Sequence, residues 1–136
     1  MNLKELNAHG SAIQVLAKAS ITDPKLKIKV TKINIWFEAE VKLLQAGLEA
    51  ISAKFPLTPQ VDEAGKWTGT QEELQEYLVA AKPKNEADIE FLETTDVDKE
   101  LDVSLKITED EISKIEDDTL SAEHLTSLVY LNLLDL

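Results

Sequence analysis

The fold of this chain is decided by residues 24–55, PKLKIKVTKINIWFEAEVKLLQAGLEAISAKF. Apolar side chains recur there at every third or fourth position: Leu26, Val30, Ile33, Phe37, Val41, Leu44, Leu48, Ile51 and Phe55. This spacing predicts one amphipathic helix of about 30 residues, roughly 45 Å long, with one apolar stripe. Asp23 is placed to cap its start, Pro24 suits its first turn, and Pro56 ends it.

The apolar face of this helix is wide. Trp36, Leu43 and Ala50 lie beside the stripe, which indicates packing against more than one neighbour. The helix is also longer than a globule of 136 residues requires. Two interpretations follow from this excess length. Either part of the helix faces a protein partner, or the C-terminal helices cover it completely.

The segments on either side of the long helix are shorter. A helix is predicted over Ser11–Lys18, whereas residues 2–9 fit either a short strand or an extra helical turn. After the long helix, residues 61–67 read as a turn in which Gly65 takes a positive φ.

The middle of the chain carries one helix signal and one breaker. Thr70 and Glu73 have the spacing of a capping box, which predicts a helix from there to about residue 81. Pro83 interrupts that helix, because proline lacks the N–H that the helical ladder needs. Asn85 then caps a second short helix.

The best strand signal lies in residues 101–107, where apolar and polar side chains alternate. A lone strand cannot satisfy its own backbone, so it needs a partner, either residues 1–6 or another subunit. Thr108 and Glu111 repeat the capping-box spacing and predict a short helix.

The C-terminal segment is rich in leucine. Ser121 is placed to cap a final helix, and the chain ends on Leu133, Leu134 and Leu136. These apolar residues predict a docked C-terminus rather than a frayed one.

These elements define the predicted fold class. The chain is mainly α, and α+β at most. It is predicted to be a helical bundle built on one long amphipathic helix, about 24–55, with one or two short strands at about 101–107. No internal repeat or low-complexity linker divides it, so residues 1–136 are predicted to form a single domain.

Charge is divided unevenly along the chain. Residues 1–60 carry eight Lys against five acids, whereas residues 61–136 carry six Lys against 21 acids. Such a split favours recognition of partners by charged surfaces. The chain has no Cys, and every basic residue other than histidine is Lys. The absence of Arg removes the bidentate fork that reads phosphate and guanine, so no direct nucleic-acid binding is expected.

No targeting or membrane signal is evident. The first residues are polar with no apolar stretch behind them, and no run approaches the roughly 20 apolar residues that span a bilayer. We therefore expect no membrane association and a cytoplasmic location.

The search for chemistry is negative. His9 and His124 are more than a hundred residues apart, and no nucleophile, metalloprotease or phosphate-binding motif occurs. We therefore expect neither an enzyme nor a cofactor. Residues 96–102 place acids at alternate positions, as hard cations prefer. However, Leu101 stands where a calcium-binding loop needs Gly, so a solvated acidic face is favoured over a metal site.

Two charged clusters are candidates for an interaction surface. The only basic cluster, Lys25, Lys27, Lys29 and Lys32, lies at the start of the long helix, where the helix dipole disfavours it. This cluster is therefore predicted to contact either the acidic half of the chain or acidic residues of a partner. The candidate interaction surface comprises Lys25, Lys29, Lys32, Trp36, Asp96, Asp98, Glu100 and Asp102.

A second acidic feature is broader. Residues 86–118 hold 14 acids against three Lys. Negative charge at this density can imitate a phosphate backbone if the carboxylates line one rigid face. Ordinary solubilisation is the simpler interpretation.

The order of these features resembles a family of small tailed-phage proteins of unknown function. The resemblance rests on the long Lys-rich helix, the D-E-x-G-K turn at residues 62–66, an acidic helix, the alternating segment at 102–107 and the Leu-rich final helix. Residues 83–85, Pro-Lys-Asn, depart from the family pattern, in which the middle helix runs on. The resemblance implies a phage or prophage origin and a non-enzymatic role in virion or tail assembly.

The leading functional hypothesis is a phage accessory protein that acts by protein–protein interaction, as an assembly factor or chaperone, on a phage or host partner in the host cytoplasm. Contact between the basic half of one copy and the acidic half of the next would give a homo-oligomer. The alternative is an acidic inhibitor that occupies the nucleic-acid site of a host defence or replication protein. The two hypotheses predict different salt dependence of binding. Binding by an acidic inhibitor should weaken steeply with salt, because surface charges are screened beyond about 8 Å at physiological ionic strength.

Overall fold

The computed structural model describes residues 1–115 and 120–135. Predictions that involve Leu136 or the acids at 116–118 therefore lie outside the described residues. Within them the chain is mainly helical, as the sequence predicts. The helices are α1 (Leu3–His9), α2 (Ser11–Lys18), α3 (Pro24–Lys54), α4 (Gln71–Thr94), α5 (Glu109–Ile112) and α6 (Ala122–Tyr130). A 3₁₀ helix covers Val103–Leu105, and the two short strands are β1 (Ile107–Thr108) and β2 (Leu134–Asp135).

The long helix α3 forms as predicted. The side chain of Asp23 accepts a hydrogen bond from the N–H of Leu26 at 3.0 Å, and Pro24 occupies the first turn. Its buried residues are Leu26, Val30, Ile33, Phe37, Glu40 and Leu44. All of them precede residue 45. The N-terminal half of α3 therefore enters the core, whereas its C-terminal half packs with partial burial against α4, which itself buries only Ala81 among the described residues.

The core forms where α1, α2 and α6 pack on one another and α2 packs against α3. Its largest fully buried side chains are Leu6, Ile13, Leu16, Leu26, Ile33, Ile107, Leu128 and Leu133. Residues 2–9 form a helix, one of the two predicted alternatives, and Asn2 caps it by accepting from the N–H of Glu5 at 2.9 Å. Gly10 joins α1 to α2, and it allows the ring of Phe37 to lie where a Cβ would be only 2.6 Å away.

The predicted caps are present. Thr70, Thr108 and Ser121 each begin a helix by accepting a hydrogen bond from the backbone N–H three residues later. The 61–67 turn is also present, with Gly65 at a φ of 81°. The local signals in the sequence therefore fix where these helices and this turn start.

The predicted break at Pro83 is wrong, and so is the separate helix capped by Asn85. Helix α4 runs through the proline without interruption. Proline removes the N–H that would bond to the carbonyl of Val79. Both residues face outward, and Val79 is 73% exposed, so water can take the place of the missing donor. A proline on the solvated side of a helix is tolerated at a cost instead of ending it.

The predicted strand over residues 101–107 is also largely wrong. Asp102 accepts a hydrogen bond from the N–H of Ser104 at 2.9 Å, which turns the backbone into a 3₁₀ helix. Val103 is 75% exposed, so the alternation does not correspond to a buried face there. Extended backbone in a ladder begins only at Ile107.

The partner of β1 is neither of the two expected. It pairs in parallel with β2, with Ile107 opposite Leu134, and the N–H of Ile107 donates to the carbonyl of Leu133 at 2.7 Å. Leu133 and Leu134 are buried, which confirms the docked C-terminal segment for these two residues. The C-terminal segment of the same chain therefore supplies the hydrogen bonds that the strand needs.

Candidate interaction surface

The lysine cluster at the start of α3 is divided between an internal contact and solvent. Lys29 donates to the carboxylate of Glu111 at 2.6 Å and to the carbonyl of Lys106 at 2.9 Å. Lys25 and Lys32 are exposed. One of the candidate lysines thus ties the acidic half of the chain to α3, while the other two remain accessible to a partner.

The carboxylate of Glu111 is the centre of this internal contact. It also accepts from the backbone N–H of Thr108 at 3.1 Å, within the capping box of α5. Burial alone would raise the pKa of Glu111, but the hydrogen bonds from Lys29 and Thr108 outweigh it, so this pKa lies below its ordinary value near 4.5. The ionised form therefore fastens α5 to α3.

The segment after α4 is held against α3 by two side chains. The indole N–H of Trp36 donates to the carbonyl of Lys99 at 2.7 Å. Glu40, only 2% exposed, accepts from the N–H of Asp98 at 2.9 Å and from the N–H of Lys99 at 3.0 Å. Sequence reasoning missed Glu40. The available signal was a charged residue where the apolar stripe repeats between Phe37 and Leu44.

The acids of residues 96–102 do not assemble into one centre. Asp96 and Asp98 are exposed, and Glu100 lies 3.7 Å from the N-terminal ammonium of Met1. The N–H of Ser104 lowers the pKa of the Asp102 carboxyl by donating to it, and the nearby Lys32 acts in the same direction. Among residues 1–115 and 120–135, no group of three His, Cys, Asp or Glu could hold a metal ion.

The candidate residues therefore lie along one edge of α3. Lys29 and Trp36 contact the 99–106 region directly, and Lys32 acts on Asp102 across the same edge. All three hydrogen bonds that Lys29 and Trp36 donate are internal to the chain. The accessible part of the candidate surface is its charged rim, which consists of Lys25, Lys32, Asp96, Asp98, Glu100 and Asp102.

The face of α3 that points away from the core carries an apolar surface, of which sequence reasoning named only Leu43 and Ala50, as part of a wide face packed against several neighbours. We define the outer stripe as Ile28, Ile35, Ala39, Leu43, Ala46 and Ala50, all of which are exposed. Ile28, Ile35 and Leu43 are 57%, 61% and 51% exposed, respectively. Their separations of seven and eight residues place these three on neighbouring parts of one face, away from the core. In the sequence, the outer stripe is indicated by two isoleucines, seven residues apart, that do not belong to the core-facing stripe.

Helix α4 presents a second exposed surface. Because the helix is continuous through Pro83, five glutamates that are four, ten, four and three residues apart share one side of it. We define the acidic row as Glu72, Glu76, Glu86, Glu90 and Glu93, all of which are exposed. Glu93 is paired with Lys4 at 2.9 Å, and this contact raises the pKa of Lys4. The row meets the geometric condition that phosphate mimicry requires, which is carboxylates on one rigid face.

The two histidines contact neighbouring polar or aromatic side chains. His9 lies 3.0 Å from the hydroxyl of Ser127 and stacks on Tyr130 at a centroid distance of 4.2 Å. His9 and Tyr130 border a depression of about 480 Å³ that also reaches Lys4 and Glu93. His124 lies within the capping box of α6.

Comparison with known proteins gives no match to any family model, curated protein or solved structure. Among the described residues, no helix combines the length and the apolar character needed to cross a membrane. A functional assignment therefore depends on the surfaces described above, of which the outer stripe is the most apolar and the acidic row the most charged.

Proposed function

We propose that this chain is a non-enzymatic protein that acts by protein–protein interaction, and that it binds its partner through the outer stripe of α3. In the context of the phage family that the sequence resembles, this is an assembly factor or chaperone that works in the host cytoplasm. The observation that carries the proposal is the exposure of Ile28, Ile35 and Leu43 on one face of a long, rigid helix.

The exposed areas of the side chains limit what the stripe alone can contribute to binding. Each large side chain of the stripe is about half exposed, so its complete burial contributes on the order of 1 kcal/mol. Three such side chains and three alanines give too little for tight association on their own, because association has an entropic cost of several kcal/mol. A partner must therefore also contact charged residues, which include Lys32, within the stripe between Ile28 and Ile35, and Lys25 and Lys42 beside it.

The proposal is tested by photo-crosslinking in cells. A photoreactive phenylalanine analogue is placed at Ile35 or Leu43 in the outer stripe, and at Glu123, an exposed residue of α6, as the matched control. We expect discrete cross-linked adducts from the two stripe positions and none from the control. Absence of adducts from both stripe positions, or equal adducts from all three, would contradict the proposal.

The acidic row supports a second candidate function, an acidic inhibitor that occupies the nucleic-acid site of a host protein. Five exposed carboxylates on one helix make its binding electrostatic, so affinity should fall steeply between about 50 and 300 mM salt. Replacing Glu86 and Glu90 together with Gln should weaken this binding while leaving cross-links from Ile35 unchanged. A partner captured at the stripe should lose less affinity over the same range of salt, because part of its contact is apolar.

A further inference from the structure

We propose that the partner of the outer stripe is a second copy of this chain, with the two α3 helices packed antiparallel around a two-fold axis at Ala39. This inference rests on the proposed function and names the partner of that surface. It replaces the open head-to-tail contact that the charge split suggests with a closed, isologous dimer. The outer face of α3 is exposed along its whole length, so the partner helix has room to lie against it.

The sizes of the side chains match in this arrangement. A two-fold axis at Ala39 places that alanine against its own copy, Ile35 against Leu43 of the partner subunit and Ile28 against Ala50 of the partner subunit. Ile28 and Ile35 lie in the first half of α3, and Leu43, Ala46 and Ala50 lie in the second half. Antiparallel packing therefore sets Ile28 against an alanine and Ile35 against Leu43, and it sets Lys32, which lies between Ile28 and Ile35 on this face, against Ala46 of the partner subunit. Parallel packing would set Ile28 against Ile28.

The charges beside the stripe match as well. On one flank, Glu38 comes within one turn of Lys42 of the partner subunit, and Glu49 comes within one turn of Lys27 of the partner subunit. The symmetry repeats both pairs. Within the described residues, Lys27, Lys42 and Glu49 make no ion pair, and Glu38 accepts only from Asn34 at 3.2 Å. Parallel two-fold packing would instead place the Glu38 and Lys42 side chains of the two copies on opposite flanks of the contact, so neither pair would form.

The expected interface is small. Helix α3 has 31 residues and is about 46 Å long, and a contact about 10 Å wide along it buries roughly 450 Å² per copy. Stable interfaces bury about 800 Å² per copy, so this dimer should be reversible, with a Kd on the order of 10–100 µM. The measurement must therefore cover a wide range of protein concentration.

Sedimentation equilibrium of the full chain between about 5 and 300 µM tests the association itself, since that range brackets the expected Kd. We expect the average mass to rise from one copy toward two. Ala39→Glu places two carboxylates at the axis and should weaken dimerisation at least tenfold. Ala80→Glu, an exposed alanine in α4, is the matched control and should dimerise like the wild type. Circular dichroism of both variants is the control that checks their folding.

The chain has no cysteine, so single cysteines report the helix orientation directly. Under mild oxidation, Ala39→Cys should form a disulfide with its own copy, because the two residues meet at the axis. Ile28→Cys alone should not, because its two copies are about 33 Å apart along the helices. Mixing Ile28→Cys with Ala50→Cys should restore the cross-link.

Three results would overturn the dimer. They are a monomer at every concentration, a dimer unaffected by Ala39→Glu, and self-linking of Ile28→Cys, which would mean parallel helices. The failure of the dimer is distinguishable from the failure of the proposed function. A monomer that still cross-links to another protein from position 35 overturns only the dimer, whereas a monomer with no adduct from the stripe overturns both.

Discussion

The buried carboxylate of Glu40 should be the main anchor of the segment that follows α4. Its two oxygens accept from the backbone N–H groups of Asp98 and Lys99, and no other buried polar or charged residue occurs among the described residues. The informative change is Glu40→Gln, which keeps the size of the side chain but replaces one acceptor oxygen with an NH₂ group. Two donors then face each other at one of the two N–H sites.

The magnitude follows from the two hydrogen bonds. A hydrogen bond to a charged acceptor contributes about 1.5–3 kcal/mol, and a neutral one about 1 kcal/mol. Glu40→Gln converts one bond to the neutral kind and removes the other, so the free energy of unfolding should fall by about 3 kcal/mol. For a chain of this length, that lowers the melting temperature by roughly 12 °C. Glu38→Gln, on the exposed side of the same helix, should change the free energy of unfolding by less than about 0.5 kcal/mol.

Urea unfolding measures the free energies, and amide hydrogen exchange locates the change. In Glu40→Gln the amides of Asp98 and Lys99 should exchange faster than in the wild type, whereas core amides in α2 should follow only the global loss of stability. The reasoning would be refuted by a Glu40→Gln protein as stable as Glu38→Gln with both amides still protected. That result would mean that packing around Val97, and not the carboxylate, holds the segment.

Three further changes test other contacts. The pKa of Glu111 is lower in the folded chain, so its ionised form adds stability above about pH 4.5. That stability is lost as the pH falls through the folded pKa. Between about pH 6 and pH 3 the urea midpoint should therefore fall less in Glu111→Gln or Lys29→Gln than in the wild type. Gly47→Ala should destabilise by about 1–2 kcal/mol despite the better helix propensity of alanine, because the new Cβ would lie 2.6 Å from Cε1 of Phe91, and Phe91→Leu should recover part of the loss in urea unfolding. Pro83→Ala should stabilise by about 1–3 kcal/mol with little gain in helical circular dichroism, and a large gain in helix would instead mean that the proline does end α4 in solution.

The parts of the fold that the sequence predicts correctly depend on local interactions. Asp23 with Pro24, and Thr70 with Glu73, specify helix starts through side chains that bond to the nearest free N–H groups. The core face of α3 is likewise predicted correctly, because apolar residues recur in it at every third or fourth position. Pro83 was misjudged because its effect depends on whether solvent can reach the carbonyl four residues earlier, which is a property of the tertiary structure. The alternation at 101–107 was misjudged for the opposite reason, since a local bond from Ser104 to Asp102 overrides it.

The interaction surface was only partly predictable. The importance of α3, Lys29 and Trp36 could be inferred from their position, but their partners are backbone carbonyls at Lys106 and Lys99, which no side-chain pattern encodes. The outer stripe was missed because a wide apolar face on a helix is compatible with several packed neighbours. Which side chains remain exposed is decided by the number of helices that actually pack there, and periodicity does not give that number.

Some of the charges of the basic and acidic halves pair with each other inside the chain. On α3, the residues that stabilise the fold are therefore different from those that are available to a partner. Lys29 bonds to Glu111, and Lys4 bonds to Glu93, so two of the lysines of the basic half serve the acidic half of the same molecule. The charges left over, which include Lys27, Lys42 and Glu49, border the outer stripe instead of the core. Substitutions on the inner face of α3 should therefore change the free energy of unfolding, whereas those on the outer face should change association and leave stability nearly unaltered. If Ala39→Glu lowered both the free energy of unfolding and the dimer affinity, the two faces would not be independent. The exposed stripe would then contribute to the stability of the fold itself.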